Sequence, residues 1–210
     1  MPKKWGLELP SMNSLKWNES FQKILNNITE QALKRPAPFV VAIEGRCCSG
    51  KTGLAFALGQ KLQAPVLHID DFYLSFRYRT PQRLEHVGGH VDFERFLEEV
   101  LLPVRRKEEV LYRPYCPHED CWKAPQKIAP NRIYIAEGSY SLLPKLSPNY
   151  DYRIFLTVNP WVQQTRLLQR EGAEKTKVFL SHWIAEEERY FNHCRTEQQV
   201  NFFLDTSELW

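Results

Sequence analysis

The segment VAIEGRCCSGKTGLAFALGQKL, residues 41–62, decides the fold of this chain. It joins an apolar run to a helical pattern through a polar loop with a glycine at each end. Gly45, Gly50, Lys51 and Thr52 match the pattern G-x-x-x-x-G-K-[ST]. Backbone N–H groups that converge in such a loop, together with the N-terminus of the following helix, suit the binding of phosphate. The segment therefore predicts a strand, loop and helix that hold a nucleoside triphosphate.

The residues of this loop have distinct expected roles. Its glycines allow a tight turn with no Cβ in the way of the ligand. Lys51 is expected to reach the β- and γ-phosphates, and the Thr52 hydroxyl is expected to ligate Mg²⁺. The predicted nucleotide-binding set is Gly45, Arg46, Cys47, Cys48, Ser49, Gly50, Lys51 and Thr52.

The bulk composition limits the classes of partner. A chain of 210 residues is long enough for one α/β domain, and its net charge of +3, from 28 basic and 25 acidic residues, is too small to indicate nucleic acid or a membrane surface. No apolar run is long enough to span a membrane, and the start, MPKKWGLELP, lacks the apolar core of a signal peptide. We expect small-molecule ligands, and a homo-oligomer stays open.

The five cysteines are an odd number, which favours a reduced, cytoplasmic setting over a disulfide framework. Cys116, His118 and Cys121 lie close together in YCPHEDCW, but their spacing matches no common zinc pattern. We therefore expect no zinc site, and we expect this segment to be a loop beside the substrate pocket.

Apolar runs alternate with helical patterns along most of the chain. The predicted strands are 39–43, 65–69, 132–136, 153–158 and 200–204, and the predicted helices are 18–34, 92–104, 161–170 and 177–191. Strands that alternate with helices predict a parallel sheet with helices on both faces. There is no repeat or linker, so residues 1–210 are expected to form one domain with a helical extension at 1–38.

Acidic residues follow two of the predicted strands. Asp70 and Asp71 stand in HIDDFYL, and Glu137 stands in IYIAEGSYSLL. In an open parallel sheet, ligands bind outside the carboxyl ends of the strands, so these acids should meet Lys51 and Thr52 there. One carboxylate could accept a proton from a substrate hydroxyl while another holds Mg²⁺. The D-x-x-G and N-K-x-D motifs of a GTPase are absent from the sequence.

GRCCSGKT, IDDFY and IAEGSY, in this order, resemble the uridine kinase and phosphoribulokinase-like group of P-loop kinases. The resemblance covers most of residues 39–204. It implies a three-layer fold with a five-stranded parallel core sheet, helices on both faces and a small helical lid at about 166–180. It also implies ATP or GTP as phosphate donor, Mg²⁺, and a hydroxyl on a small molecule as acceptor.

The resemblance also implies roles for single residues. Asp70 matches the catalytic aspartate of the family, Tyr73 an aromatic residue of the acceptor site, and Glu137 an acid near magnesium. Arg166 and Arg170, in TRLLQREG, match lid arginines that close over the phosphates. The predicted catalytic set is Asp70, Lys51, Arg166 and Arg170, and the predicted metal ligands are Thr52, Glu137 and Asp70.

The acceptor side departs from the family pattern. Gly89 stands where uridine kinases have an aspartate that binds ribose hydroxyls, and the base-recognition segment is only loosely matched by YRPYCPHEDCW. The predicted acceptor-binding residues are Asp71, Tyr73, His90, Asp92 and Tyr115. A nucleoside is the first expectation, and a vitamin-like alcohol or a sugar fits equally well.

The sequence leaves open two alternative functions and the role of two adjacent cysteines. Arg77, Arg79 and Arg83 would suit a nucleotide kinase, whose acceptor carries a phosphate. A regulatory protein that binds a triphosphate without transferring phosphate is the alternative of another class. Cys47 and Cys48 are either small residues that the loop tolerates or reactive thiols, since Lys51 and a helix N-terminus both favour the thiolate.

Overall fold

A computed structural model describes residues 15–209 of the chain. The strands, in chain order, are β1 Phe39–Gly45, β2 Val66–His68, β3 Val110–Tyr112, β4 Tyr115–Cys116, β5 Cys121–Trp122, β6 Gln126–Ile128, β7 Ile133–Glu137, β8 Tyr152–Thr157 and β9 Phe202–Asp205. Five of them form the main sheet in the order β2-β7-β1-β8-β9, and every neighbouring pair is parallel. The predicted five-stranded parallel sheet is confirmed.

The helices, in chain order, are α1 Leu15–Leu33, α2 Lys51–Leu62, α3 Pro81–Glu85, α4 Phe93–Phe96, α5 Leu102–Arg106, α6 Pro160–Glu171, α7 Ala173–Val178 and α8 Ile184–Cys194. A π-helical segment, Leu97–Leu101, joins α4 to α5, and a second one, Phe179–Trp183, joins α7 to α8. Each pair is therefore one continuous helix. None of the helices within the described part of the chain is long and apolar enough to cross a membrane.

Both faces of the sheet are covered. Val40 and Ala42 of β1 belong to the hydrophobic cluster on one face, while Val41 and Ile43 belong to the cluster on the other face. Burial on both faces explains why β1 is a continuous apolar run. The second cluster includes the apolar side of α1, so the described part of the expected 1–38 extension packs on the sheet, while residues 1–14 lie outside the described residues.

One feature of the fold was not predicted, and the segment expected to form a lid can be described in more detail. Residues 110–128 contain two small antiparallel pairs, β3 with β6 and β4 with β5, whose strands of two or three residues are too short to give a periodic pattern. The expected lid at 166–180 comprises the end of α6, Gly172 and the start of the continuous helix from α7 to α8. Gly172 has a φ of +80° and separates the two helices.

Candidate active site

The phosphate loop, residues 45–50, runs from the end of β1 to the start of α2. Gly45 has a φ of +146°, and a Cβ there would lie 2.1 Å from the carbonyl oxygen of Leu156. Gly50 has a φ of +92° directly before α2. Lys51 folds back over the loop, where its Nζ donates to the carbonyl oxygens of Gly45 at 2.6 Å and Arg46 at 3.0 Å. The backbone geometry therefore requires the two glycines of the motif.

Helix α6 holds the carbonyl groups of the phosphate loop. Gln163 Nε2 donates to the Cys47 carbonyl at 3.0 Å, and Arg166 Nη1 donates to the Cys48 carbonyl at 3.2 Å. The buried Arg166 also donates through Nη2 to the carbonyl of Thr206 at 2.7 Å. Arg166 thus ties the loop to the end of β9, and its contact with a phosphate stays a prediction.

Three other residues that were predicted to lie near the phosphates, Arg170, Arg46 and Ser49, have different surroundings. Arg170 Nη2 lies 3.5 Å from Cys47 Sγ, beside the loop. The Arg46 guanidinium pairs with Glu188 at 3.0 Å and Glu197 at 2.9 Å, so it extends toward α8. The backbone N–H of Arg46 donates to the Leu156 carbonyl at 3.0 Å. The buried Ser49 hydroxyl has no hydrogen-bond partner within the described range.

Residues from three elements meet at the carboxyl end of the sheet. Thr52, in the first turn of α2, donates through Oγ1 to Glu137 Oε2 at 3.2 Å. The other oxygen of Glu137 lies 2.5 Å from His68 Nδ1, because β2 and β7 pair these two residues directly. Burial on its own lowers the pKa of His68, but the hydrogen bond and charge of Glu137 outweigh it and raise that pKa. The predicted approach of Thr52 and Glu137 is therefore present.

Asp70 lies in a short 3₁₀ turn directly after β2, and its side chain is accessible to solvent. The protein around this open cleft nevertheless raises the pKa of Asp70 to about 6, first through desolvation and then through the negative charge of Glu137. Lys51 and His68 act in the opposite direction. Asp70 thus shares one electrostatic environment with the phosphate loop and with Glu137.

These positions fit Mg²⁺ as a ligand set. Thr52, Glu137 and Asp70 offer a hydroxyl and two carboxylates, and Mg²⁺ prefers oxygen ligands of this kind. Between residues 15 and 209, no three or more His, Cys, Asp or Glu side chains are grouped as a metal site. A magnesium ion at Glu137 would therefore take further ligands from water and phosphate, as it commonly does in phosphate-transfer sites.

Part of the acceptor-binding set predicted from the sequence forms an aromatic cluster. The ring of Tyr73 stacks on His90 at a centroid distance of 5.9 Å, and His90 meets Tyr140 and Trp183 edge-on at 4.9 Å and 5.0 Å. Burial, followed by the charge of Arg79, lowers the pKa of His90 to about 4, so the ring is neutral near pH 7. This cluster lies between β2, β7 and the helix that contains α8.

The other predicted acceptor residues have partners within the fold. Asp71 Oδ2 lies 3.0 Å from the Tyr112 hydroxyl. Asp92 caps α4 by accepting from the backbone N–H of Arg95 at 3.2 Å. The buried Tyr115 bonds through its hydroxyl to the Asp120 carboxylate. Their direct contact with an acceptor stays a prediction.

Gly89 has a structural reason to be a glycine. A Cβ at this position would lie 1.9 Å from the carbonyl oxygen of Arg83. The Arg83 guanidinium also donates to the carbonyls of Gly89 at 3.2 Å and Val91 at 3.0 Å. An aspartate at position 89 would therefore clash with the Arg83 carbonyl.

Glu187 is a site residue that the sequence did not reveal. Its buried carboxylate accepts from the backbone N–H of Cys47 at 2.9 Å and from the Ser139 hydroxyl at 2.8 Å. Burial lowers the pKa of Lys51, but the charge of Glu187, followed by that of Glu44, outweighs it and raises that pKa. Glu187 stands among three consecutive acids that look like a solvated helix face. Only its helical spacing to the buried Tyr190 indicates an inward position.

Glu44, the last residue before the loop glycine, was also missed. It is fully buried and accepts from the backbone N–H of Gly45 at 2.9 Å and of Leu142 at 3.2 Å, and from the Tyr190 hydroxyl at 3.0 Å. Burial raises its pKa to about 7 although Lys51 and these donors act against the rise. Glu44 joins β1 to the loop after β7 and to α8 beneath the phosphate loop.

The fold agrees with that of known P-loop kinases. The "Possible Uridine Kinase from Bacillus stearothermophilus" superposes with a TM-score of 0.69 and 19% identity, covering 91% of this chain and 100% of that one. The "putative fructose transport system kinase from Silicibacter sp. TM1040" has a TM-score of 0.68 and 22% identity, covering 87% and 98%. At these identities the likeness shows the fold: this chain has the α/β fold of the uridine kinase-like P-loop kinases.

Sequence comparison adds one relative. The tRNA-specific adenosine deaminase subunit tad2 of Schizosaccharomyces pombe is 33% identical over an alignment 147 residues long, and the match covers 66% of this chain and 36% of that protein. The chain thus spans about a third of the length of this curated relative. No protein-family model matches the sequence.

Proposed function

We propose that this chain is a Mg²⁺-dependent P-loop kinase that transfers a phosphoryl group from ATP or GTP to a hydroxyl of a small molecule. The observation that carries the proposal is the meeting of Lys51, Thr52, Glu137 and Asp70 at the carboxyl end of one parallel sheet, with Thr52 bonded to Glu137 at 3.2 Å. A nucleoside is the first candidate acceptor.

The residues divide the reaction between them. Asp70 takes the proton of the acceptor hydroxyl while the oxygen of that hydroxyl attacks the γ-phosphorus. The bond between the γ-phosphorus and the bridging oxygen breaks, and the nucleoside diphosphate leaves. Lys51 and the loop N–H groups stabilise charge on the transferring group, and Arg170 approaches from α6. Bound Mg²⁺ would neutralise part of the phosphate charge, held by Thr52 and Glu137 with Asp70.

A nucleotide kinase fits these contacts less well. Arg83 forms a bidentate pair with Glu94, at 2.9 and 2.7 Å, and Arg79 donates to the Leu74 carbonyl at 2.7 Å while its guanidinium stacks on the Phe76 ring. Arg83 is therefore engaged within the fold, and Arg79 partly so. Asp70 and Asp71 would also repel an acceptor that carries a phosphate.

The names of the similar proteins support the choice of acceptor class. The two structural neighbours are described as kinases of uridine and of a fructose transport system, so their names point to acceptors with sugar hydroxyls. The name of the Schizosaccharomyces pombe relative states an activity on tRNA. We assign no deaminase activity to this chain, because the match covers only 36% of that protein and the proposed site at residues 45–52 would bind phosphate.

The direct test is product analysis by mass spectrometry. The purified chain is incubated with MgATP or MgGTP and a panel of nucleosides, vitamin-like alcohols, sugars and nucleoside monophosphates. We expect one neutral alcohol to gain a phosphoryl group, with Lys51→Ala as the inactive control. A phosphorylated nucleotide would support the nucleotide kinase instead. Slow hydrolysis with no phosphorylated product would support a regulatory protein.

A further inference from the structure

Cys47 and Cys48 are consecutive, half-buried free thiols within the phosphate loop. Their Sγ atoms are 3.8 Å apart. Their backbone is held on both sides: the N–H of Cys47 bonds to Glu187, and the two carbonyls accept from Gln163 and Arg166. The main chain of this pair is therefore fixed by α6 and α8, and the sulfur atoms are the part of the pair left for chemistry.

The surroundings make the two thiols unequal. Arg170 Nη2 lies 3.5 Å from Cys47 Sγ. The hydrogen bond between the two thiols lowers the pKa of Cys47, and the positive charges of Arg170 and Lys51 act in the same direction. The same hydrogen bond raises the pKa of Cys48. Because the Arg170 guanidinium contacts the Cys47 sulfur, Cys47 is assigned as the nucleophile and Cys48 as the neighbouring thiol.

We propose that Cys47 and Cys48 are a redox modification site for peroxides, and that the oxidised phosphate loop no longer binds a nucleoside triphosphate. The Cys47 thiolate attacks one peroxide oxygen, the O–O bond breaks, and hydroxide leaves while a sulfenic acid forms. The Cys48 sulfur then attacks the sulfenic sulfur and loses its proton. Water leaves, and a disulfide forms. The peroxide is the two-electron oxidant, and an external dithiol restores both thiols.

The geometry links this oxidation to phosphate binding, a link that rests on the proposed function. The sulfur atoms must move from 3.8 Å to about 2.05 Å apart to bond. Cys47 and Cys48 are neighbours in the chain, so a disulfide between them strains the intervening peptide. The strained peptide would shift the loop backbone that is proposed to bind phosphate, and Arg170 would lose the thiolate that it faces.

Cys121 provides the matched control. It is a free cysteine opposite Cys116 in the β4–β5 pair, and its Sγ donates to the Glu119 carboxylate at 3.5 Å. Burial, followed by that hydrogen bond, raises the pKa of Cys121. Cys121 should therefore react slowly with peroxide, so Cys121→Ser should oxidise at the loop as the wild type does.

The test is peptide-mapping mass spectrometry of the full chain after treatment with hydrogen peroxide. We expect the peptide that contains both loop cysteines to lose two hydrogens, about 2 Da, reversibly by dithiothreitol and more slowly in the presence of MgATP. Cys48→Ser should stop at a sulfenic acid on Cys47 that a cyclic 1,3-dione traps, and Cys47→Ser should leave Cys48 unmodified. The calorimetric affinity of the oxidised wild type for MgATP should fall at least about tenfold and return on reduction.

Each other outcome overturns a defined part of the proposal. Oxidation that begins at Cys116, Cys121 or Cys194, or that is as fast in Cys47→Ser as in the wild type, removes the redox site. An oxidised chain that binds MgATP as tightly as the reduced chain removes the link to nucleotide. Failure of the reduced wild type to bind MgATP would instead contradict the proposed function, while the mapped oxidation would still decide the redox site.

Discussion

The proposed phosphate side of the site is built on long parallel strands, whereas the proposed acceptor side is built on loops, short helices and two small antiparallel pairs. The phosphate side comprises residues 45–52 and Glu137, which lie at the end of β1, the start of α2 and the end of β7. The acceptor side comprises residues 70–128, in which the strands have two or three residues. This difference shows that a short motif can encode a site at the carboxyl end of a parallel sheet, while a pocket made of loops depends on contacts between residues that are distant in sequence.

The largest effect on activity is expected from a change at Asp70, which lies where the two sides meet. Asp70→Asn keeps the size of the side chain but removes the base, so kcat should fall by about 10²–10⁴-fold while MgATP binding is retained. Rates of product formation with the acceptor found in the panel provide the measurement. Asp71→Asn is the matched control, because Asp71 is held by Tyr112 and should matter less. A severe loss in Asp71→Asn with a mild one in Asp70→Asn would show that the motif has the other register.

The next effect concerns the metal on the phosphate side. Glu137→Gln keeps an oxygen for the Thr52 hydroxyl but removes a charge that would hold Mg²⁺. The Mg²⁺ concentration that gives half-maximal activity should rise by about tenfold or more. Titration of activity with MgCl₂ at fixed ATP measures this. An unchanged Mg²⁺ requirement would show that Glu137 positions His68 and Thr52 without holding the ion.

A smaller effect is expected at Glu187, which joins the phosphate loop, through Cys47, to Ser139 in the segment after β7. Glu187→Gln keeps one oxygen that can accept from the Cys47 N–H, and its amide N–H₂ can donate to the Ser139 hydroxyl, but it removes a negative charge from beside Lys51. The affinity for MgATP, measured by calorimetry, should therefore tighten by about three- to tenfold. Glu186→Gln is the control, because Glu186 pairs with Arg189 on the outer part of the same helix at 2.7 Å. Weaker binding in Glu187→Gln alone would show that the carboxylate is needed to shape the loop.

The smallest effect on activity is expected from Glu44 beneath the loop, where stability is the measured quantity. Its pKa is about 7 in the folded protein and is taken as 4.5 when unperturbed, so the folded state binds this proton more tightly. The stabilisation is fully present below pH 4.5 and is lost as pH rises through about 7. Glu44→Gln cannot ionise and should lack this loss, which is on the order of 2 kcal/mol between pH 5 and 8. Urea unfolding at both pH values tests this, and parallel pH profiles for both proteins would contradict it.

Much of the fold and half of the site were predictable from the sequence. The central strands β7, β1 and β8 are largely apolar because both faces of the sheet are covered there, and the loop glycines are required by the backbone geometry. These features depend on residues that are close together in the chain, so a sequence pattern can predict them. The small strands at 110–128 have no such run, so their pairing depends on tertiary contacts.

The acceptor side shows why the rest could not be predicted. Asp92 has the residue type of a ligand-binding acid, yet its carboxylate caps α4. Glu187 has the setting of a solvated acid, yet it is buried against the phosphate loop. The orientation of a polar side chain is decided by partners that can be far away in the chain. Cys47 and Glu187, for example, are 140 positions apart.

Calorimetric titration with MgATP of the wild type and of Lys51→Ala tests the central claim most directly. If residues 45–52 hold a triphosphate, the wild type binds one nucleotide per chain and Lys51→Ala loses nearly all affinity, while its circular dichroism spectrum and urea midpoint stay those of a folded protein. Equal affinity in the two proteins, or no binding by the reduced wild type, would contradict the assignment of this loop as a nucleotide site.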